Sequence, residues 1–279
     1  MSTTHSTKDF LLNQAQNTTT ISEKISCYKK IIELDCDDPR AFHSLGDVYS
    51  SFDEVKSKMY WEMAVRRYSE KIESFNDSAS EYLKRSENSE MPKIESKDVF
   101  REVGQCFHGL GEVHDNLHKY SHATDAYKKA LRMDPTHVDC LYDLAMSLFN
   151  EKKLEESKKY LLEFLAKQSS YAGHYSLGLI FAGEGCIKEA LGEFWNCIEL
   201  TQDDSVSDYY RGISYHHLGN MKLAEKYLKM SIQKDPEDLG AIQTLIQLYE
   251  SNGEGQKAYE YYEQIRAKKE TLRSIRETM

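Results

Sequence analysis

The sequence predicts an all-α fold built from repeated pairs of helices, and two observations support this fold class. The 279 residues include only four prolines and are rich in leucine, glutamate, lysine and alanine, which favour helices. No long segment shows the alternation of polar and apolar residues that is typical of a strand. In addition, a pair of neighbouring residues recurs at intervals of 33 or 34 residues, at Leu110-Gly111, Leu144-Ala145, Leu177-Gly178, Arg211-Gly212 and Leu245-Ile246. A period of this length indicates a helical repeat array.

The second residue of each pair, here called the anchor, is followed by further residues at fixed distances. A small residue stands twelve positions after the anchor, at Ala123, Ser157, Ala190, Ala224 and Ala258, and a bulky residue four positions later, at Tyr127, Leu161, Phe194, Leu228 and Tyr262. This pattern predicts two amphipathic helices per unit, with small residues where they approach closely and bulky residues between neighbouring units. Asp134-Pro135 and Asp235-Pro236 end the second helix of their units, because proline cannot continue it.

Two segments carry a resemblance to a known family. Residues 107–135, FHGLGEVHDNLHKYSHATDAYKKALRMDP, and 209–236, YYRGISYHHLGNMKLAEKYLKMSIQKDP, resemble the tetratricopeptide repeat family in their small anchor, inter-helix alanine and terminal Asp-Pro. The resemblance covers about 104–272 and extends less regularly upstream through 27–49. It implies a right-handed α-solenoid of antiparallel helix pairs with a 34-residue period. In this family the first helices line a concave groove that usually binds peptides or helices.

The repeat becomes irregular near the N-terminus. Tyr60, Ala64, Tyr68 and Ile72 recur every four residues and predict one long helix. We expect four parts: a flexible tail at 1–8, degenerate and first repeat-like helix pairs at 9–72, an irregular insertion at 73–97, and the regular array with a C-terminal capping helix at 98–279. The insertion has two interpretations. It is either a decayed or tolerated segment, or a protruding helical element that contacts a partner or covers one end of the groove.

The positions that face the groove can be read from their offsets to the anchors, because a repeat array exposes the same positions of every first helix. In the middle units these positions hold tyrosines and apolar residues, whereas the outer units place polar residues there. The candidate partner-binding residues are His108, Glu112, Asp115, Tyr142, Met146, Phe149, Tyr175, Leu179, Tyr209, Ile213 and His216. The expected ligand is an apolar or aromatic peptide, or an amphipathic helix. The alternative is that these side chains pack against one another or against the protein's own tail.

Charge and hydropathy exclude several classes of partner. The net charge is −10 and basic residues alternate with acidic ones, which disfavours nucleic acid as a partner. No apolar run is long enough to span a membrane and the N-terminus lacks a signal peptide, so we expect no membrane insertion and a cytoplasmic or nuclear location. Some co-chaperones of the family clamp a partner's terminal carboxylates with lysine and asparagine. Here Glu112 and Asp115 would repel carboxylates, which disfavours that role.

We expect no catalytic residues, cofactor or metal site. The chain lacks a nucleophile elbow, a phosphate-binding loop and a zinc-protease helix motif. His114, His118 and His122 are spaced four residues apart, but the repeat assigns them to a packing position, a turn position and the next helix. The sequence therefore predicts a non-catalytic adaptor that binds a protein segment in the groove. The alternative is a permanent structural subunit or assembly factor of a larger complex.

Overall fold

The computed structural model describes residues 2–18, 20–35, 37–75, 97–200, 205–236 and 238–278, and every regular element within these ranges is a helix. The all-α prediction is confirmed. The described helices are α1 (Ser2–Asn17), α2 (Ile21–Leu34), α3 (Pro39–Ser50), α4 (Glu54–Ser74), α5 (Lys97–Asn116), α6 (Tyr120–Met133), α7 (Val138–Asn150), α8 (Leu154–Lys167), α9 (Tyr171–Gly183), α10 (Ile187–Leu200), α11 (Ser205–His217), α12 (Met221–Lys234), α13 (Leu239–Ser251) and α14 (Gly255–Thr278).

The N-terminal region differs in part from the expected division. Helix α1 begins at Ser2, so residues 2–8 of the expected tail are helical. The division into four parts stays a prediction. Helix α4 is long, with 21 residues, as the spacing of Ala64 and Tyr68 predicts, and both side chains are buried. Most of the expected 73–97 insertion, residues 76–96, lies outside the described residues. Both interpretations of the insertion therefore stay predictions.

The turns inside the five helix pairs from α5/α6 to α13/α14 share one backbone conformation. His118, Lys152, Gly185, Gly219 and Gly253 all have a positive φ, between 56° and 78°. In the first of these turns the N–H of Lys119 donates to the carbonyl of His114 at 2.8 Å, and that of His118 donates to Asp115. These bonds close the end of a helix around a left-handed residue. The predicted turn position of His118 is thus confirmed.

Several helix starts have side-chain caps. Asp38 accepts a hydrogen bond from the N–H of Arg40, with Pro39 at the first helical position. Asp53, Asn220 and Asp238 cap α4, α12 and α13 in the same way. Each cap satisfies a backbone donor that the helix itself leaves without a partner.

The chain forms two compact units, Met1–Lys153 and Leu154–Met279, each described here by itself. In the first unit, α1 packs with α2, α3 with α4, and α5 with α6, and the first helices α3 and α7 also contact α5. In the second unit, α9 packs with α10, α11 with α12, and α13 with α14, while α11 contacts both α9 and α13. First helices therefore lie side by side within each unit, as a repeat array requires.

The predicted close approach of the two helices of a unit at small residues is confirmed at three glycine anchors, where the bulky residue of the same unit's second helix meets the glycine. A Cβ atom added to Gly111 would lie 2.4 Å from the ring of Tyr127. Additions at Gly178 and Gly212 would meet Phe194 at 2.7 Å and Leu228 at 2.8 Å. All five small residues of the second helices are buried.

The last unit departs from this pattern. Tyr262 was expected to be packed, and that prediction is wrong: the side chain is 48% exposed and its hydroxyl donates to Glu250. The anchor of this unit is Ile246, which is buried and leaves no space like that above a glycine.

Candidate protein-binding surfaces

The first unit brings predicted binding residues of α5 and α7 together. His108, Glu112 and Asp115 on α5 and Tyr142, Met146 and Phe149 on α7 are all half-buried. The Nε2 atom of His108 lies 2.7 Å from Oδ2 of Asp143 on α7, and Asp115 accepts a hydrogen bond from Ser147 at 2.7 Å. These contacts join the two first helices along their facing sides. Asp143 was not among the predicted residues.

His108 is held tightly in this surface. Its ring centroid lies 4.5 Å from that of His137 and 5.6 Å from that of Tyr127. Its Nδ1 atom is 3.9 Å from a carboxylate oxygen of Glu112. Burial opposes the charged imidazole, but the hydrogen bond to Asp143 and the charge of Glu112 outweigh it and raise the pKa of His108.

Burial and neighbouring charged groups shift the pKa values of the carboxyl groups on α5. Burial raises the pKa of Glu112, with Asp143 and Asp47 adding to the effect and His108 and His43 opposing it. Burial also raises the pKa of Asp115 to about 6, although hydrogen bonds from Ser147 and Tyr127 favour its charged form. The surface formed by Asp47, Glu112, Asp115 and Asp143 with His43 and His108 is called the acidic face.

Helix α3 adds Asp47 to the acidic face. The side-chain amide of Asn116 on α5 and the indole N–H of Trp61 on α4 both donate to Oδ1 of Asp47, each at 2.9 Å. The carboxylate is thus fixed by donors from two other helices. Such hydrogen bonds hold it in place without supplying a positive charge.

A cleft of about 860 Å³ adjoins the acidic face, lined among others by Lys8, Arg40, His43, Tyr68, His108 and Glu112. Its basic end is paired, since Lys8 and Arg40 lie 2.9 and 2.8 Å from Oδ2 of Asp38. Burial alone would raise the pKa of Asp38, but these two partners lower it. The sequence analysis did not find this cleft, because Lys8 lies on α1, outside the recognisable repeat.

The second unit presents a cluster of aromatic rings on α9 and α11. The ring of Tyr210 lies 5.5 Å from those of Tyr175 and Tyr209 and 5.0 Å from that of Tyr171. All four tyrosines are half-buried. They are called the aromatic face. Burial raises the pKa of Tyr175, so its hydroxyl remains protonated at neutral pH.

The other predicted residues of the second unit differ in burial. Leu179 and His216 are half-buried, whereas Ile213 is only 4% exposed and packs in the core with Leu228 and Ile242. The hydroxyl of Tyr175 lies 3.3 Å from Nε2 of His217, a residue that the sequence analysis did not select.

The three histidines that are spaced four residues apart in the sequence occupy separate positions in the structure. His114 and His122 approach each other across the turn, with ring centroids 5.3 Å apart, while His118 stands in the turn beside Tyr120. They do not form one helix face.

No helix among the described residues is long and apolar enough to cross a membrane.

Family models agree with the repeat that the geometry shows. Two models described as tetratricopeptide repeat match residues 104–137 and 126–159. Residues 104–159 of the chain therefore carry tetratricopeptide-repeat sequence. It is 26% identical over 166 residues to a TPR repeat-containing protein of Methanocaldococcus jannaschii, a match that spans 56% of this chain and 29% of that relative.

Solved structures support the same fold. The chain resembles pilF of Pseudomonas aeruginosa with a TM-score of 0.52 and 14% identity, covering 86% of this chain and 96% of that one. It resembles a thermophilic TPR protein of Thermus thermophilus with a TM-score of 0.51 and 20% identity, covering 61% and 98%. These likenesses confirm the tetratricopeptide solenoid class.

Proposed function

We propose that this tetratricopeptide-repeat protein is a non-catalytic adaptor that binds an apolar or aromatic peptide or helix on the first helices of its units. The observation that carries the proposal is the aromatic face, where Tyr175 on α9 and Tyr209 on α11 stand half-exposed beside Tyr210. We place the adaptor in the cytoplasm or nucleus.

Tyrosine is well suited to such a surface. Its ring offers a large apolar area, its two side-chain torsions cost little entropy on binding, and its hydroxyl can bond a partner's backbone. The ring of Tyr210 contacts those of Tyr175 and Tyr209, so their orientations are largely fixed before a ligand arrives. A preordered surface loses less entropy when it binds.

In the first unit, the side chains that would bind apolar groups of the partner are Tyr142, Met146 and Phe149 on α7, next to the acidic face. A segment bound here should combine apolar side chains with hydrogen-bond donors or positive charge. Glu112, Asp143 and Asp115 would repel a terminal carboxylate, so a carboxylate-clamp function is disfavoured on the described surface as well.

The second candidate function is a permanent subunit or assembly factor of a larger complex. One observation favours it: Ile187, Leu191 and Trp195 on α10 are 58%, 37% and 50% exposed and stand one turn apart on a single face. This apolar stripe belongs to a second helix, not to the aromatic face. Exposed apolar patches of this kind often mark protein interfaces.

Photo-crosslinking distinguishes the two functions. A benzophenone amino acid would be placed at Tyr209 in one variant and at Trp195 in another, and each would be expressed in the cells that naturally contain the protein. The adaptor predicts crosslinks to a partner from position 209 and few from position 195. Crosslinks from position 195 alone would support the permanent subunit instead.

A further inference from the structure

Three side chains of the acidic face form a compact cluster of possible metal ligands. One ring nitrogen of His108 and one carboxylate oxygen from each of Glu112 and Asp143 all lie within 4.8 Å of one another. Ligands about 2.0–2.2 Å from a tetrahedral zinc ion stand roughly 3.3 Å apart. Small side-chain rotations would therefore bring the three groups to coordination distance.

We propose that His108, Glu112 and Asp143 bind a divalent transition-metal ion of the zinc class, with water completing the coordination. An imidazole together with two carboxylates suits zinc, cobalt or manganese better than magnesium or calcium, which prefer oxygen ligands alone. The site goes beyond the proposed adaptor function and does not depend on it.

The backbone arrangement favours convergence of the three groups. His108 and Glu112 stand four residues apart on α5, so both project from the same face of that helix. Asp143 approaches from α7, with its Oδ2 atom 2.7 Å from Nε2 of His108. Ligands from two packed helices are held more precisely than ligands on loops.

The histidine is also preordered. Its side chain is 14% exposed, and its ring packs between those of Tyr127 and His137. A metal-bound histidine needs a fixed ring orientation, which neighbouring groups usually supply. In this protein the contacts with Tyr127 and His137 fix the orientation of the His108 ring.

The charge balance points the same way. Glu112 and Asp143 place two carboxylates beside one imidazole, and Asp47 and Asp115 add further negative charge nearby. A divalent cation would relieve the repulsion among these groups. This differs from His174 in the second unit, where Nδ1 lies 2.6 Å from the single carboxylate of Glu193. Among the residues that the structure describes, the His108 cluster alone brings three candidate ligands together.

The experiment measures binding of Zn²⁺ and Co²⁺ alone, by calorimetry and by competition with a chelating indicator. The full chain is compared with the variants His108→Gln, Glu112→Gln and Asp143→Asn, and His174→Gln serves as the matched control. We expect one ion per chain at this site and at least about tenfold weaker binding in each ligand variant. The control should bind as the wild type does.

A measurement on the wild type avoids dependence on how well the variants fold. Paramagnetic Co²⁺ should shift or broaden the ring resonances of His108 more strongly than those of His174. Equal binding by wild type and His108→Gln, or equal effects of Co²⁺ on both histidines, would overturn the proposal. No peptide is present in either experiment, so its outcome is independent of the adaptor function.

Discussion

The ring of Tyr127 lies so close to Gly111 that a Cβ atom on the glycine would stand 2.4 Å from it. This contact joins the two helices of the clearest repeat. The same relationship recurs between Gly178 and Phe194, where the distance would be 2.7 Å. The close approach of first and second helices therefore depends on the absence of a side chain at the anchor.

Replacing this glycine should destabilise the protein. In Gly111→Ala the added methyl group would displace the buried ring of Tyr127, which should lower the free energy of unfolding by about 1–3 kcal/mol. Gly192→Ala is the matched control, because Gly192 also lies inside a helix and no atom stands within 4 Å of its added Cβ. The control should raise the free energy of unfolding by up to about 1 kcal/mol. Urea titrations of both variants give the comparison, and equal losses would contradict it.

The turn residues predict opposite effects for two substitutions. Lys152 has a φ of 65° and Gly253 a φ of 75°, and this left-handed region costs a side-chain-bearing residue about 1 kcal/mol. Lys152→Gly should therefore stabilise the protein and Gly253→Ala should destabilise it, each by about 1 kcal/mol. Thermal unfolding checks the signs. Two shifts in the same direction would show that the turn conformation is not the cause.

Asp115 predicts a pH dependence of stability. Because burial raises its pKa to about 6 in the folded state, the folded protein binds more protons than the unfolded chain between about pH 4 and 6. Its contribution to stability is thus present below this window and is lost as the pH rises through it. Asp115→Asn removes the titration, so its free energy of unfolding relative to wild type should increase from about pH 4 to about pH 7. A difference that stays constant over this range is the contradicting result.

The regular part of the fold could be predicted because the repeat fixes local geometry. The intervals between anchors locate the helices, and His118 could be placed in a turn because glycines hold the same position in later units. Tyr262 could not be placed correctly, because the anchor of its unit is the bulky, buried Ile246 and leaves no space for a packed ring.

The candidate site could be predicted only in part. Offsets to the anchor select Tyr175 and Tyr209, but Tyr210 and His217, which contact Tyr175, lie at other offsets. Ile213 was predicted as part of the groove floor and packs in the core, because burial depends on how closely a neighbouring helix approaches. Asp143 could not be predicted for the same reason, because its contact with His108 requires the packing of α5 against α7.

The central claim is that the first-helix surface binds a protein segment, and Tyr209 and Trp195 allow a direct test. Both are partly exposed aromatic residues of the second unit, one on the aromatic face and one on the second helix α10. Peptides would be selected from a random library on the wild-type protein and their dissociation constants measured by fluorescence polarisation. The account predicts at least about tenfold weaker binding for Tyr209→Ala and no change for Trp195→Ala. Loss of binding in Trp195→Ala with wild-type affinity in Tyr209→Ala would contradict it.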